Sequence, residues 1–584
     1  MTALVKAMDN FTPSQIGENG HSEYTWSKNI REQIIQLSFQ LTRTSSSAVV
    51  ASLSERVDYV LSTLKIDYQS RRIPKEVYIE YMSIMFKLIG QTRDLVDGKG
   101  EYTLAYMMLG IWNKHFPELA RYAFSLFVQG SINSEKDSES EGDHPYGSWK
   151  DVKHLIMYLQ TSTNVNDSTS LENYAIELLN NQLKMDETAD VPSLAAKWVP
   201  REKSKHSSLF TRLAKNYYSH YLSSALTESS IKRAILKAKM DYRKLISSLN
   251  KKLDTVQIKQ CANTWADIDP TRQTSITLHK QKKAFLNLTK KGEQRSLLDD
   301  RIICAEKFTE FASKAARGEV EVKGKRIGLN DFTKNAIDLI SSRQHASSEA
   351  QLLNAQWTNN SLQTGALGKM IAMVDVSGSM VGDPLHAAIS LGIRIAEKSM
   401  IGKRVLTFSA SPKWVNLESC NDFISMVEVL QVADWGMNTN FNAALDLILN
   451  AIIQQALPAE DVEDMVLTIL SDMQMDAADN SSNSNSLIDS ITSKYAEAGI
   501  RVCGKPYKPP HILFWNLRST TGFPTLSTQP NASMMSGFSP ALLNLFCEQG
   551  IDALQSCSPW SLFLKSLENP RYNVLGDRLR EEFE

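Results

Sequence analysis

The sequence predicts an all-helical N-terminal region, residues 1–365, followed by an α/β region, residues 366–584, built on a mainly parallel sheet. Three observations carry this. Up to about residue 365, apolar residues recur at helical spacing and rarely alternate. Beyond Gly368, short apolar runs alternate with helical patterns, as in sheets covered on both faces. The chain has 584 residues, 42% of them hydrophobic, enough for more than one core.

In the first region Val77, Tyr81, Ile84, Met85, Leu88 and Ile89 line one face of a helix after Pro74. Leu171, Tyr174, Ala175, Leu178 and Leu179 repeat the pattern. So do Ile231, Ile235, Tyr242, Leu245 and Leu249, among Lys232, Arg233, Lys237, Arg243 and Lys244. No fixed period links these segments, so a solenoid of paired helices and an irregular bundle both stay open. Residues 131–143, SINSEKDSESEGD, hold too little apolar surface to bury and predict a mobile loop.

In the second region the order is the run KMIAMVDV (369–376), a helix over LHAAISLGIRIAEKSM and the run KRVLTFSA. A helix near Asp422–Leu430 follows, then one over NFNAALDLILNAIIQQAL. The run DMVLTILSD, a helix near Ser486–Ala498 and the run HILFWNL complete the pattern. In such sheets ligands bind beyond the carboxyl ends of the strands.

Net charge is −1, but from Lys197 to Lys291 the chain has 21 Lys and Arg against 6 Asp and Glu, a local +15. Such a segment attracts polyanions or an acidic partner surface, unless it is a set of solvated helix faces balanced by the acidic remainder. Six scattered cysteines with no CxxC pair give neither a zinc site nor a disulfide framework, and favour a reducing compartment. No run has the length of a membrane span, and the first residues lack a signal peptide's apolar core. These features predict a cytoplasmic protein with no membrane partner.

The first strand of the second region ends in DVSGSM. Asp375, Ser377 and Ser379 can turn one carboxylate and two hydroxyls toward a common point, a hard-oxygen set suited to Mg²⁺ or Mn²⁺. Thr439 and Asp472 stand at later junctions of the same kind and extend the set. Two other readings compete. Ser377 as a nucleophile lacks the G-x-S-x-G form and a nearby histidine. Hydroxyls that merely cap the next helix leave Thr439 and Asp472 unexplained.

D-x-S-x-S, then a threonine, then an aspartate resembles the metal-ion-dependent adhesion site of von Willebrand factor A domains, and all five positions match. The resemblance implies a Rossmann-like fold over residues 366–584 and a divalent cation with an open position for an acidic oxygen.

The stretches QTRDLVDGKGEYTLAYMML (91–109) and HPYGSWKDVKHL (144–155) resemble motifs of the Ro autoantigen family. Its members join a helical, HEAT-like TROVE module to a von Willebrand A domain. SLAAKWVPRE, KQCANTWADID, LLNAQW, FWNLRS, GFPT and MMSGFSPALLNLF extend the likeness to a family of plants, fungi and large DNA viruses with the same two-part plan. By resemblance the basic segment is an RNA-binding face, with Lys237, Arg243, Lys244, Lys251 and Lys252 on phosphates and single-stranded or misfolded RNA as ligand. Tyr217, Tyr218, Tyr221 and Tyr242 could stack on bases, although buried tyrosines more often serve a core.

Gly98 and Gly100 belong to no phosphate-loop pattern, and a turn between helices with Lys99 exposed is expected there. Trp149 and Trp198 are expected to anchor helices. No catalytic constellation is present, so the expected function is non-enzymatic RNA binding beside a metal-dependent ligand site. The alternative is a protein-interaction scaffold whose metal takes an acidic partner residue. A viral source would add the virion as a location.

Overall fold

The computed structural model describes residues 13–17, 22–130, 144–162, 169–408, 412–433, 441–474, 487–547 and 557–583. The predicted loop 131–143 and Thr439 lie outside the described residues.

Helices of eight or more residues are numbered in chain order. The first region holds α1 (Ile30–Gln40), α2 (Ser47–Gln69), α3 (Lys75–Arg93), α4 (Tyr102–His115), α5 (Pro117–Val128), α6 (Lys150–Thr161) and α7 (Thr169–Thr188). It continues with α8 (Ser207–Tyr217), α9 (Glu228–Leu253), α10 (Ser275–Phe285), α11 (Asp299–Ala316), α12 (Leu329–Ser341) and α13 (Ser348–Ser361). Local signals fix several starts. Ser46 accepts from the Val49 amide at the start of α2, and Thr227 and Ser230 form a reciprocal capping box at α9. A short antiparallel pair, β1 (Ser14–Ile16) and β2 (Ser22–Tyr24), precedes the helices.

The second region holds β3 (Lys369–Asp375), α14 (Asp383–Lys398), β4 (Arg404–Phe408), β5 (Trp414–Asn416), α15 (Phe423–Val432) and α16 (Phe441–Gln454). Then come β6 (Met465–Ser471), α17 (Leu487–Cys503), β7 (His511–Asn516), β8 (Ala532–Ser536), α18 (Pro559–Leu567) and α19 (Pro570–Phe583). The sheet order is β5-β4-β3-β6-β7-β8, parallel except at the β5 edge. The chain is therefore helical first and α/β second, as its sequence predicts.

The sheet is buried on both faces. Along β3, Met370, Ala372 and Val374 enter one core, while Ile371 and Met373 enter another. This is the two-residue alternation of a pleated strand, hidden in the sequence because both faces are apolar. On the first face lie α14, α15 and the helices α12 and α13, which precede the sheet in sequence. The second core runs without a break from the sheet through α16, α17 and α18 to α1–α9. The last helix, α19, lies along α3. Two glycines permit that close crossing: a Cβ at Gly90 would lie 2.7 Å from Leu575 Cδ1, and one at Gly576 2.8 Å from Lys87 Cε.

Lys99 corrects an expectation. It is 4% exposed, and its ammonium donates to Ser38 O at 2.6 Å, Leu41 O at 3.1 Å and Ser536 Oγ at 2.7 Å. Its three acceptors come from α1, the residue that follows it and β8, so only the folded chain could reveal why it is buried. β5, β8 and the two last helices were not legible in the sequence either. Among the described residues no helix is long and apolar enough to cross a membrane.

Candidate metal centre

The order of the strands reverses between β3 and β6, and the carboxyl ends of those two strands carry the candidate residues. Asp375 is the last residue of β3, and Asp472 follows the last residue of β6. Both are 0% exposed. Two buried carboxylates side by side are costly unless something positive or donating meets them.

Part of the need is met locally. Asp375 accepts from the Ser377 amide at 2.8 Å and from the Ser471 hydroxyl at 2.5 Å. Burial still pushes its carboxyl up to about 6, against the Ser471 and Ser377 hydrogen bonds. Asp472 accepts from the Gln474 amide at 3.3 Å. Burial raises its carboxyl as well, against the pull of the Ser379 hydroxyl, the Gln474 amide and Arg518. Its Oδ2 is buried and accepts no hydrogen bond. Met473, next in the chain, has φ +65, an uncommon conformation for a side chain of this size, which turns the backbone just beyond the carboxylate.

Ser377 and Ser379 face each other, their hydroxyl oxygens 3.0 Å apart. Neither caps α14: no side-chain cap bond forms from Ser377 onto the short turn after it, and the N-cap of α14 is Gly382. The hydroxyls are thus free of the helix-capping role that competes with a ligand role. Four of the five predicted residues, Asp375, Ser377, Ser379 and Asp472, come together at this edge, and Thr439 lies outside the described residues. The set fits a small hard cation: two carboxylates, one of them with an orphaned buried oxygen, and two convergent hydroxyls. Among the described residues no three His, Cys, Asp or Glu side chains converge on a metal position, so the candidate depends on its hydroxyls.

Sequence reasoning missed two neighbours. Ser471 orients Asp375 from the adjacent strand. Arg518, just beyond β7, donates to the backbone carbonyl of Ser379 and stands 3.8 Å from Asp472 Oδ2. FWNLRS contains Arg518, but nothing in its spacing ties it to DVSGSM, because the link is made by the strand order.

The five residues expected on RNA all lie on α9 and are exposed. Several are engaged within the chain. Arg243 donates to Glu202 at 2.9 Å, Lys244 is 3.9 Å from Asp241, and Lys252 donates to Glu187 O at 3.3 Å. Lys237 sits over the Tyr221 ring at 4.2 Å, and Tyr221 stacks on Tyr218. Tyr242 is a core residue, fully buried and donating to Asn180 Oδ1 at 3.0 Å. Trp149 is buried, and Trp198 is half-buried beneath Lys150, Lys153 and Lys197.

The two stretches that resemble Ro motifs meet in the interior. Arg93, from the first, makes a two-point contact with Asp151, from the second, at 2.6 and 2.8 Å. Tyr106 donates to the same carboxylate.

Two similarities to known proteins accompany this geometry. The family described as Domain of unknown function (DUF7788) matches residues 369–560, which span β3 to the start of α18. Over 511 residues the chain is 27% identical to Uncharacterized protein L728 of Acanthamoeba polyphaga mimivirus, covering 84% of this chain and 80% of that protein. The second match therefore runs through both regions.

Proposed function

We propose that this chain is a non-enzymatic binding protein with a divalent-cation-dependent ligand site at the β3–β6 edge and an RNA-binding face on its helical region. The observation that carries the first part is the convergence of Asp375, Ser377, Ser379 and Asp472, with Asp472 Oδ2 buried and unsatisfied. These residues, with Thr439, would hold Mg²⁺ or Mn²⁺. A bound ion would supply positive charge for an acidic oxygen of a ligand.

The strand order and the placement of the oxygens support the likeness to a von Willebrand A domain, and with it a Ro-like plan. The exposed cationic face of α9, Lys237, Arg243, Lys244, Lys251 and Lys252, supports contact with phosphates of single-stranded or misfolded RNA. A second reading, a scaffold whose metal takes an acidic residue of a protein partner, draws support from α9 itself. Arg243 and Lys244 are already set against Glu202 and Asp241, which leaves less free charge than the sequence count suggests. For either reading the cytoplasm is the expected location, with the virion added for a viral source.

The test is RNA binding by the full chain at low and high salt, with and without Mg²⁺, beside Asp375→Ala. Salt-sensitive binding that survives the substitution places RNA on the helical face and leaves the metal for another ligand. Binding no stronger than that of a neutral control protein at low salt removes the RNA part.

A further inference from the structure

Arg518 occupies an unusual position for a cation beside a candidate metal site. Its guanidinium donates to the Ser379 carbonyl, so it is tied to the same loop that presents Ser377 and Ser379. It also faces Asp472 Oδ2 at 3.8 Å, the one carboxylate oxygen of the set that accepts no hydrogen bond. The side chain is half exposed, so its remaining donors reach solvent. In charge terms, Arg518 is the counter-ion of Asp472.

The loop that carries Arg518 is braced by the helical region. Asn516 donates to Phe39 O at 3.0 Å, and its Oδ1 accepts from the Arg518 amide at 3.1 Å. Gln40 accepts from the Thr520 amide at 2.9 Å and donates to Thr520 Oγ1 at 3.0 Å. The end of α1 therefore fixes both sides of Arg518, and the guanidinium is placed by the fold rather than by its own flexibility.

We propose that Arg518 is a built-in rival of the divalent cation: it neutralises Asp472, and metal binding must overcome it. The proposal rests on the metal reading of the site. A divalent ion that shared Asp472 with this guanidinium would meet its repulsion, only partly screened at a half-exposed position. Arg518 thereby sets the affinity of the site. Through Asn516 and Gln40, it ties that affinity to the docking of the helical region.

The test is Mn²⁺ titration of the full chain by calorimetry and electron paramagnetic resonance. Samples are the unaltered protein, Arg518→Gln, Arg518→Lys and Asp472→Asn. Arg518→Gln removes the charge, so it is expected to bind Mn²⁺ about tenfold more tightly. Arg518→Lys is expected to stay near the unaltered value. The gain in Arg518→Gln should shrink as salt is raised, which a purely structural effect would not do. Equal or weaker binding by Arg518→Gln, while Asp472→Asn loses Mn²⁺, overturns the rivalry and leaves the metal site standing. No Mn²⁺ binding by any sample overturns both.

Discussion

Asp94 accepts two hydrogen bonds from the guanidinium of Arg571, a residue 477 positions further along the chain, at 2.8 and 2.9 Å. Tyr572 adds a third at 3.1 Å, and both partners of the ion pair are almost completely buried. The pair joins the end of α3 to the start of α19. It gives the RDLVDGKG stretch a structural role. Asp94 holds α19, Asp97 accepts from Asn569 and Lys99 holds β8.

Removing one partner leaves the other charge buried without its counter-ion. Arg571→Ala is expected to cost about 3–5 kcal/mol, more than a surface pair would. Asp94→Ala should cost a similar amount, and the double substitution less than the sum, because the charges compensate each other. Urea unfolding of the four proteins measures the difference. A near-zero effect of Arg571→Ala would show that α19 does not secure the helical region.

Lys99 predicts a dependence on pH. Burial pulls its ammonium down to about 7, despite the charge of Glu101, whereas in the unfolded chain it titrates near 10.5. Between those values the folded chain binds fewer protons than the unfolded chain. Stability from this group therefore rises with pH from about 7 to 10.5 and is lost as pH falls toward 7. The slope is at most about 1.4 kcal/mol per pH unit. Lys99→Met removes this component, so its denaturation midpoint should be flatter across pH 7.5–9.5. A parallel pair of curves would contradict it.

What could be read in advance divides by range. The strands β3, β4, β6 and β7 were legible because a strand buried on both faces is a continuous apolar run. β5 has only three residues, and β8, ASMMS, buries Ser533 and Ser536, so neither has that signature. Asp375, Ser377 and Ser379 were legible because they lie within five residues and alternate. Ser471 and Arg518 were not, because strand order alone brings them to that loop. Lys99 was misread for the same reason: its acceptors lie elsewhere in the chain.

The proposed cation site predicts a thermal shift. A ligand that binds only the folded chain stabilises it by about 2.7 kcal/mol at a hundredfold excess over Kd. Millimolar Mg²⁺ or Mn²⁺ is therefore expected to raise the melting temperature of the unaltered chain, and a chelator to reverse the rise. Asp472→Asn removes the orphaned carboxylate oxygen and should abolish the shift without unfolding the sheet, since its Oδ1 keeps the Gln474 amide. An equal shift in Asp472→Asn would place the metal elsewhere.

The basic face of α9 is open to a graded test. Lys251 is exposed beside Lys252, whereas Arg243 shares Glu202 with Lys239. On the proposed RNA reading, reversal of a free cation removes one phosphate contact, and the slope of log affinity against log salt falls by about 0.7 for single-stranded RNA. Reversal of Arg243 also places a second acid beside Glu202, to which Lys239 responds, so its effect mixes RNA contact with local rearrangement. Lys251→Glu is accordingly expected to weaken RNA binding uniformly across sequences and flatten the salt slope. Arg243→Glu should weaken it with a measurable loss of stability as well. Filter binding at four salt concentrations, beside a melting curve of each protein, separates the two. If Lys251→Glu leaves both affinity and slope unchanged, α9 is not the RNA face, and its charge serves the chain's own acids or a protein partner.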